Sequence, residues 1–261
     1  MDIIHFLPEH PWARTIQYFD CIDSTNTHLQ SLAVKGAPAG TVIIAGSQTA
    51  GRGRLGRTFY SPAMSGIYMS VLLRPGCKPE QLMHLTCATA VAVCRAIEQV
   101  AGFCPQIKWV NDIVWQGKKL GGILTGLSVN PATGLVDFAI VGIGINCNDG
   151  VFPPQISEIA TSLSSVTGKA VDRAALAAAL VQQLEIMDRE LITQQSRYMA
   201  RYRENCVVIG KKVYLVRGEE SREATVLDID DLGALIVRLP DGTVEAVNSG
   251  EVSLRGKDRY L

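Results

Sequence analysis

Apolar positions recur along this chain with two periods, and the switch between them marks the elements. Residues 17–23 (QYFDCID) read as a short strand ending in a polar turn. Residues 24–33 (STNTHLQSLA) follow with a helix-start signal, because Asp23 or Ser24 can accept hydrogen bonds from the free N–H groups of a first turn. Gly36 to Gly40 closes that helix, and 41–46 (TVIIAG) is a β-branched apolar strand. Residues 67–73 (IYMSVLL) predict another strand. Between 79 and 100, Leu82, Leu85, Ala88, Val91, Ala92 and Ile97 keep close to the 3.6-residue period and predict one helix. Residues 107–110 and 122–127 flank a turn at Gln116-Gly117 and predict a hairpin-like region. The run 135–145 (LVDFAIVGIGI) is apolar almost throughout, as in a strand covered on both faces. Residues 172–191 predict a second long helix with Asp172 at its start.

After Arg203 the texture changes. Residues 207–216, 222–228, 234–239 and 243–248 are short strands separated by turn signals at Asp231-Leu232-Gly233 and Pro240-Asp241-Gly242. Four or five strands in so short a stretch predict a small β-barrel of SH3-like size. The economical reading is an α+β part over 1–205 and a β part over 206–261.

Composition narrows the function classes. Twenty-five basic and 25 acidic side chains give a net charge of +0, which argues against a chain whose main partner is nucleic acid. The seven cysteines (21, 77, 87, 94, 104, 147 and 206) include no C-x-x-C pair, so small buried thiols of a reducing, cytoplasmic compartment are favoured over metal ligands. The N-terminal MDIIHFLPEHPW has no basic stretch before an apolar run, and no apolar run approaches the ~20 residues that span a bilayer. The expectation is a cytoplasmic protein without a membrane partner.

Three segments carry candidate chemistry. In Gly51-Arg52-Gly53-Arg54-Leu55-Gly56-Arg57, glycines let the backbone approach a ligand while three arginines concentrate bidentate donors. Anion binding and a solvated basic turn both fit that loop on its own. In Lys108-Trp109-Val110-Asn111-Asp112 and Lys118-Lys119-Leu120-Gly121-Gly122, cations, an amide and a carboxylate can serve an anion, a nucleotide and hydrated Mg²⁺. Gly142-Ile143-Gly144-Ile145-Asn146 ends an apolar strand in an amide, and its glycines signal close approach either by a ligand or by packing. His28 and His84 fall within helical patterns and read as structural, and no Ser/His or Cys/His pair suggests a protein nucleophile.

Taken in order and spacing, Asp23-Ser24-Thr25-Asn26, Gln48, GRGRLGR, KWVND, KKLGGIL, GIGIN and the closing Ser249-Gly250-Glu251-Val252-Ser253-Leu254-Arg255 resemble the biotin–protein ligase family. The resemblance covers about residues 15–255. It implies a catalytic domain over 1–205, with a mixed sheet and helices related in fold to class II aminoacyl-tRNA synthetases, and an SH3-like domain over 206–261. It also implies activation of biotin by ATP and Mg²⁺ to biotinyl-5′-AMP. The biotinyl group then passes to a lysine of a biotin carboxyl carrier protein or carboxylase subunit. Carried over by position, Ser24, Thr25, Asn26 and Gln48 hold biotin. Arg52 and Gly53 line its carboxylate, and Arg54 and Arg57 face phosphates, Arg54 also reaching biotin. Lys119 meets both carboxylate and α-phosphate, Arg52 and Lys119 being the catalytic pair. Asn111, Asp112 and Asn146 serve ATP, with Asp112 toward the metal.

Members that repress transcription carry a winged-helix domain ahead of this region. The catalytic segment here begins almost at Met1, so no DNA partner is expected, whereas a homodimer fits the family. Two residues depart from the family pattern: Val110 replaces a proline and Gly126 a glutamate. The rival readings are a lipoate–protein ligase-like transferase, a non-catalytic biotin-binding homologue, suggested by Gly126, and an RNA-binding module.

Overall fold

The structure is a computed structural model that describes residues 1–148 and 152–248, and the backbone of 253–255. The first part holds β1 (Ile16–Phe19), α1 (Thr25–Val34), β2 (Val42–Ala45), β3 (Gly66–Leu73), α2 (Leu85–Ala101), β4 (Gln106–Lys108), β5 (Asp112–Trp115), β6 (Lys118–Val129) and β7 (Val136–Asn146). The short helices α3 (Pro154–Ser157) and α4 (Leu163–Thr167) follow, then α5 (Arg173–Glu190) and α6 (Gln195–Asn205). Seven strands form one mixed sheet in the order β1-β2-β3-β7-β6-β5-β4, with β1 parallel to β2 and every other pair antiparallel.

Strand alternation explains why β2, β3 and β7 read as continuous apolar runs. Val42, Ile44, Val71, Leu73, Ala139 and Val141 pack into the core that includes α2, α5 and α6. Their alternates Ile43, Leu72, Phe138 and Ile140 pack beneath Leu29 and Ala33 of α1 on the other face. Two covered faces leave few polar positions in the period-2 pattern, Ser70 of β3 and Asp137 and Asn146 of β7 among them.

Several boundaries differ from the sequence pattern. β1 stops at Phe19, and Ile22, packed against the cluster of Ile43 and Leu72, forms an isolated parallel bridge with Gln48. The helix predicted over 79–100 is two elements: a 3₁₀ turn at Pro79–Leu82, then α2 from Leu85. His84 breaks the path with ψ 2°, its buried ring bonded through Nε2 to the Leu191 carbonyl at 2.8 Å. The hairpin at 107–127 is really two, β4–β5 and β5–β6. The second turns through Gln116 (φ 48°) and Gly117 (φ 79°), the pair of positive φ values that a tight hairpin turn needs. α6 escaped the pattern because Tyr198, Met199 and Tyr202 are its only buried residues in a polar sequence.

The C-terminal part holds β8 (Lys212–Arg217), β9 (Glu220–Ile229), β10 (Leu235–Arg238), β11 (Val244–Val247) and β12 (Ser253–Arg255), an antiparallel sheet in the order β11-β10-β9-β8-β12. β8 begins at Lys212 rather than 207, because residues 207–210 turn first: the Val207 N–H donates to the Ile107 carbonyl and the Gly210 N–H to the Val226 carbonyl. Residues 249–252 of the closing motif lie outside the described residues.

Candidate active site

Ser24 caps α1, its hydroxyl accepting from the Thr27 N–H, so the polar start of α1 is fixed against the sheet. Thr25 donates to Gln48 Oε1 from its backbone N–H (2.9 Å) and its hydroxyl (3.2 Å). Gln48 Nε2 donates onward to Ser61 Oγ at 2.9 Å. Ser70, fully buried in β3, places its hydroxyl 2.7 Å from Thr25 Oγ1 and 2.5 Å from Asn26 Oδ1. The other end of the Asn26 amide donates to the Leu124 carbonyl at 3.2 Å. This set of neutral donors and acceptors is held from several elements.

Two glycines of β7 leave room for neighbouring side chains of the site. A Cβ at Gly142 would collide with the Asn26 amide, and one at Gly144 would collide with the Phe59 ring. Packing by the protein's own side chains accounts for both glycines of GIGIN, and both also line the cavity, where a ligand could approach them.

The charged set stands on the loop after β2 and on β5 and β6. Loop 51–57 closes on itself through the Gly53 N–H to the Arg57 carbonyl (2.7 Å) and an Arg52–Thr58 bridge. Arg54 Nη1 donates to Asn111 Oδ1 at 3.0 Å, while Asn111 Nδ2 donates to the Ile123 carbonyl at 2.9 Å. Burial lowers the Arg54 guanidinium below its usual value, opposed by the charge of Asp112. Lys119 Nζ lies 2.5 Å from Asp112 Oδ1. Asn146 Nδ2 donates to the Thr161 carbonyl at 3.1 Å and so ties the end of β7 to the chain beyond it. The peptide joining Trp109 to Val110 is cis.

Both sets line one cavity of about 500 Å³. Ser24, Thr25, Asn26, Gln48, Arg52, Gly53, Arg54, Arg57, Asn111, Asp112, Lys119 and Asn146 all contribute to its wall, so the residues assigned from the sequence to biotin, ATP or the metal are brought together. Among the described residues of the wall, Arg52, Arg54, Arg57, Lys108 and Lys119 face a single carboxylate, Asp112. The excess of positive charge suits an anionic ligand.

Sequence reasoning missed an apolar wall of Phe152, Ile156, Ile159 and Ala160, and the aromatic Phe59. Lys108, read from the sequence as a possible anion binder within KWVND, is only 3% exposed and lies on the same wall. The one available signal for the wall was the spacing of Ile156, Ile159 and Ala160, too short to stand out. Ser61 and Ser70 carried none. Gly126 is exposed, outside the wall, and a Cβ there meets open space. His28 packs edge-on against Phe19 at 4.8 Å, also outside the wall. All seven cysteines are free, and the described residues contain no cluster of three or more His, Cys, Asp or Glu placed to hold a metal. No helix among them is long and apolar enough to cross a membrane.

Residues 18–146, which include most of this wall, match the Biotin/lipoate A/B protein ligase family, and residues 208–255 match the Biotin protein ligase C terminal domain. The chain is 35% identical over 240 residues to the bifunctional ligase/repressor BirA of Bacillus subtilis, covering 91% of this chain and 73% of that protein. The chain belongs to the biotin protein ligase family. Another relative, the biotin–[acetyl-CoA-carboxylase] ligase of Mycobacterium tuberculosis, is 32% identical over 235 residues, 88% of this chain and 85% of its own length. In structure, the chain is similar to the biotin protein ligase of Aquifex aeolicus in complex with biotin and ATP. The TM-score is 0.79 and the identity 29%, over 93% of this chain and 99% of the other. The match to the C-terminal biotin ligase domain sets this ligase apart from a reading based on the first family alone, which spans lipoate as well.

Proposed function

We propose that this ligase activates the carboxylate of biotin with ATP and transfers the biotinyl group to a lysine of a biotin carboxyl carrier protein or carboxylase subunit. The observation that carries the reading is the joining, in one cavity of about 500 Å³, of a neutral hydrogen-bonding set with five cations and one carboxylate. In this reading Ser24, Thr25, Asn26 and Gln48 bind the ureido ring of biotin through hydroxyl and amide groups. Arg52, Gly53 and Arg54 line its carboxylate. Arg54, Arg57, Asn111, Asp112 and Asn146 take ATP, and Lys119 lies between the two substrates. Asp112 is suited to Mg²⁺ that arrives on the phosphates: one carboxylate beside an amide is what a largely hydrated ion asks of the protein, and the described residues offer no closed cage. Such an ion would neutralise phosphate charge there.

Chemically, a carboxylate oxygen of biotin attacks the α-phosphorus, the bond to pyrophosphate breaks, and biotinyl-5′-adenylate remains. Two anions meet in that step, so cations already in position lower the barrier without reorganising. Arg52 and Lys119 do this nearest the reacting atoms. The carrier lysine, as the free amine, then attacks the acyl carbon and AMP leaves. The loop 51–57 orders over the intermediate and keeps water from it. The catalytic domain, 1–205, is of the class II aminoacyl-tRNA synthetase type, and 206–261 is an SH3-like domain.

Pyrophosphate exchange into ATP tests the reading. Exchange that depends on biotin and not on lipoate is expected, followed by label from biotin on a carrier protein. Exchange driven by lipoate, or none, contradicts it.

A further inference from the structure

The segment that leads into Asn111 and Asp112 is fixed from outside its own sheet. The Tyr202 hydroxyl, on α6 and fully buried, donates to the Val110 carbonyl at 3.1 Å. The indole N–H of Trp109 donates to the Gly233 carbonyl, in the turn between β9 and β10, at 2.9 Å. The same turn is locked to α6. Arg203 Nε lies 2.5 Å from the Ile229 carbonyl and Arg203 Nη2 2.5 Å from Asp231 Oδ1, while Gln195 Nε2 donates to the Asp231 carbonyl at 2.7 Å. α6, the β9–β10 turn and residues 109–110 thus make a closed bracket. One residue beyond it, Asn111 holds Arg54, and Asp112 holds Lys119. The neutral set around Asn26 hangs instead from α1, β3 and β6, through Thr25, Ser70 and the Leu124 carbonyl.

We propose that Tyr202 is a positioning residue for the nucleotide, its hydroxyl holding the Val110 carbonyl so that Asn111 and Asp112, and through them Arg54 and Lys119, stand where ATP requires them. The C-terminal sheet takes part in nucleotide binding by this route, without touching the nucleotide. The inference rests on the assignment of biotin and ATP to this cavity.

The test is Tyr202→Phe, which keeps the ring and removes the hydroxyl, in biotin-dependent ATP–pyrophosphate exchange, with biotin affinity measured separately by calorimetry. One buried hydrogen bond lost ahead of two ATP-binding side chains is expected to raise KM for ATP by about tenfold and Kd for biotin by about threefold at most, since Arg54 and Lys119 reach the biotin carboxylate only in part. Arg203→Gln, which loosens α6 from the β9–β10 turn without disturbing the buried phenol, gives a smaller rise of the same kind and serves if Tyr202→Phe does not fold. A merely structural Tyr202 lowers Tm and leaves KM for ATP where it was, or weakens both ligands equally, and either result overturns the proposal. Wild-type protein that shows no biotin-dependent exchange removes the underlying assignment and the proposal with it.

Discussion

At Gly142 the structure leaves no space for a methyl group, because the Asn26 amide already occupies it. Gly142→Ala must push Asn26 away from Ser70 and the Leu124 carbonyl, at a cost of about 1–3 kcal/mol for an overpacked site. The expected outcome is a lower Tm together with weaker biotin binding by calorimetry; an unchanged biotin affinity would place the vitamin elsewhere. Lys119 acts differently, since its ammonium is held by Asp112 at the cavity wall and lends charge rather than shape. Lys119→Ala, and likewise Arg52→Ala, should slow pyrophosphate exchange by ~10²–10³-fold while Tm stays within the range of an exposed substitution. These residues were legible in the sequence because glycines and cations cluster there in an order that a packed core does not produce. Ser61 and Ser70 were not. A serine in an apolar strand has no local signature, and Ser70 meets Thr25 across 45 positions of chain.

Among the elements, the break before α2 carries the clearest pH consequence. Burial pushes the His84 imidazole below the usual 6.5, with the Leu191 carbonyl opposing. With Nε2 donating to that carbonyl, Nδ1 has no partner among the described residues, so protonation would bury an unpaired N–H. The folded state therefore binds this proton more weakly than the unfolded state. Stability from a neutral His84 is complete above pH 6.5 and is lost as pH falls below it, by up to ~1.4 kcal/mol per unit. Asp188, raised by burial and by Glu185 to about 6, acts in the opposite sense as pH falls through that value. The difference between wild type and His84→Gln isolates the histidine: the wild type should lose stability relative to the variant between pH 6.5 and 5.5 in chemical unfolding. Parallel curves would contradict the assignment. The same break shows the limit of periodicity, since a 3₁₀ turn and an α-helix place apolar residues alike and only the His84 anchor separates them. α6 was hidden for the converse reason, three buried residues being too thin a stripe for a pattern.

On the scale of the whole molecule, one hydrophobic core runs from Ile107, Trp109 and Val110 through Cys206 and Val208 into Val213, Leu235 and Val247. Two sequence matches divide the chain, yet its interior does not. Calorimetric unfolding is expected as a single transition, and two well-separated peaks would show that the C-terminal sheet melts by itself. The change of texture after Arg203 made the second sheet legible, whereas the contact of Trp109 with it was not, because that bond rests on a backbone carbonyl at Gly233 that no side-chain pattern records. The cavity bounded by the first sheet and the loop 51–57, its wall lying wholly within residues 24–160, is where the proposed function brings a carboxylate to a nucleotide. The most direct measurement is mass spectrometry of the quenched mixture of purified protein, biotin, ATP and Mg²⁺. The account predicts biotinyl-5′-AMP bound to wild-type protein and its near absence with Lys119→Ala; a wild-type sample containing biotin and ATP but no adenylate would contradict it.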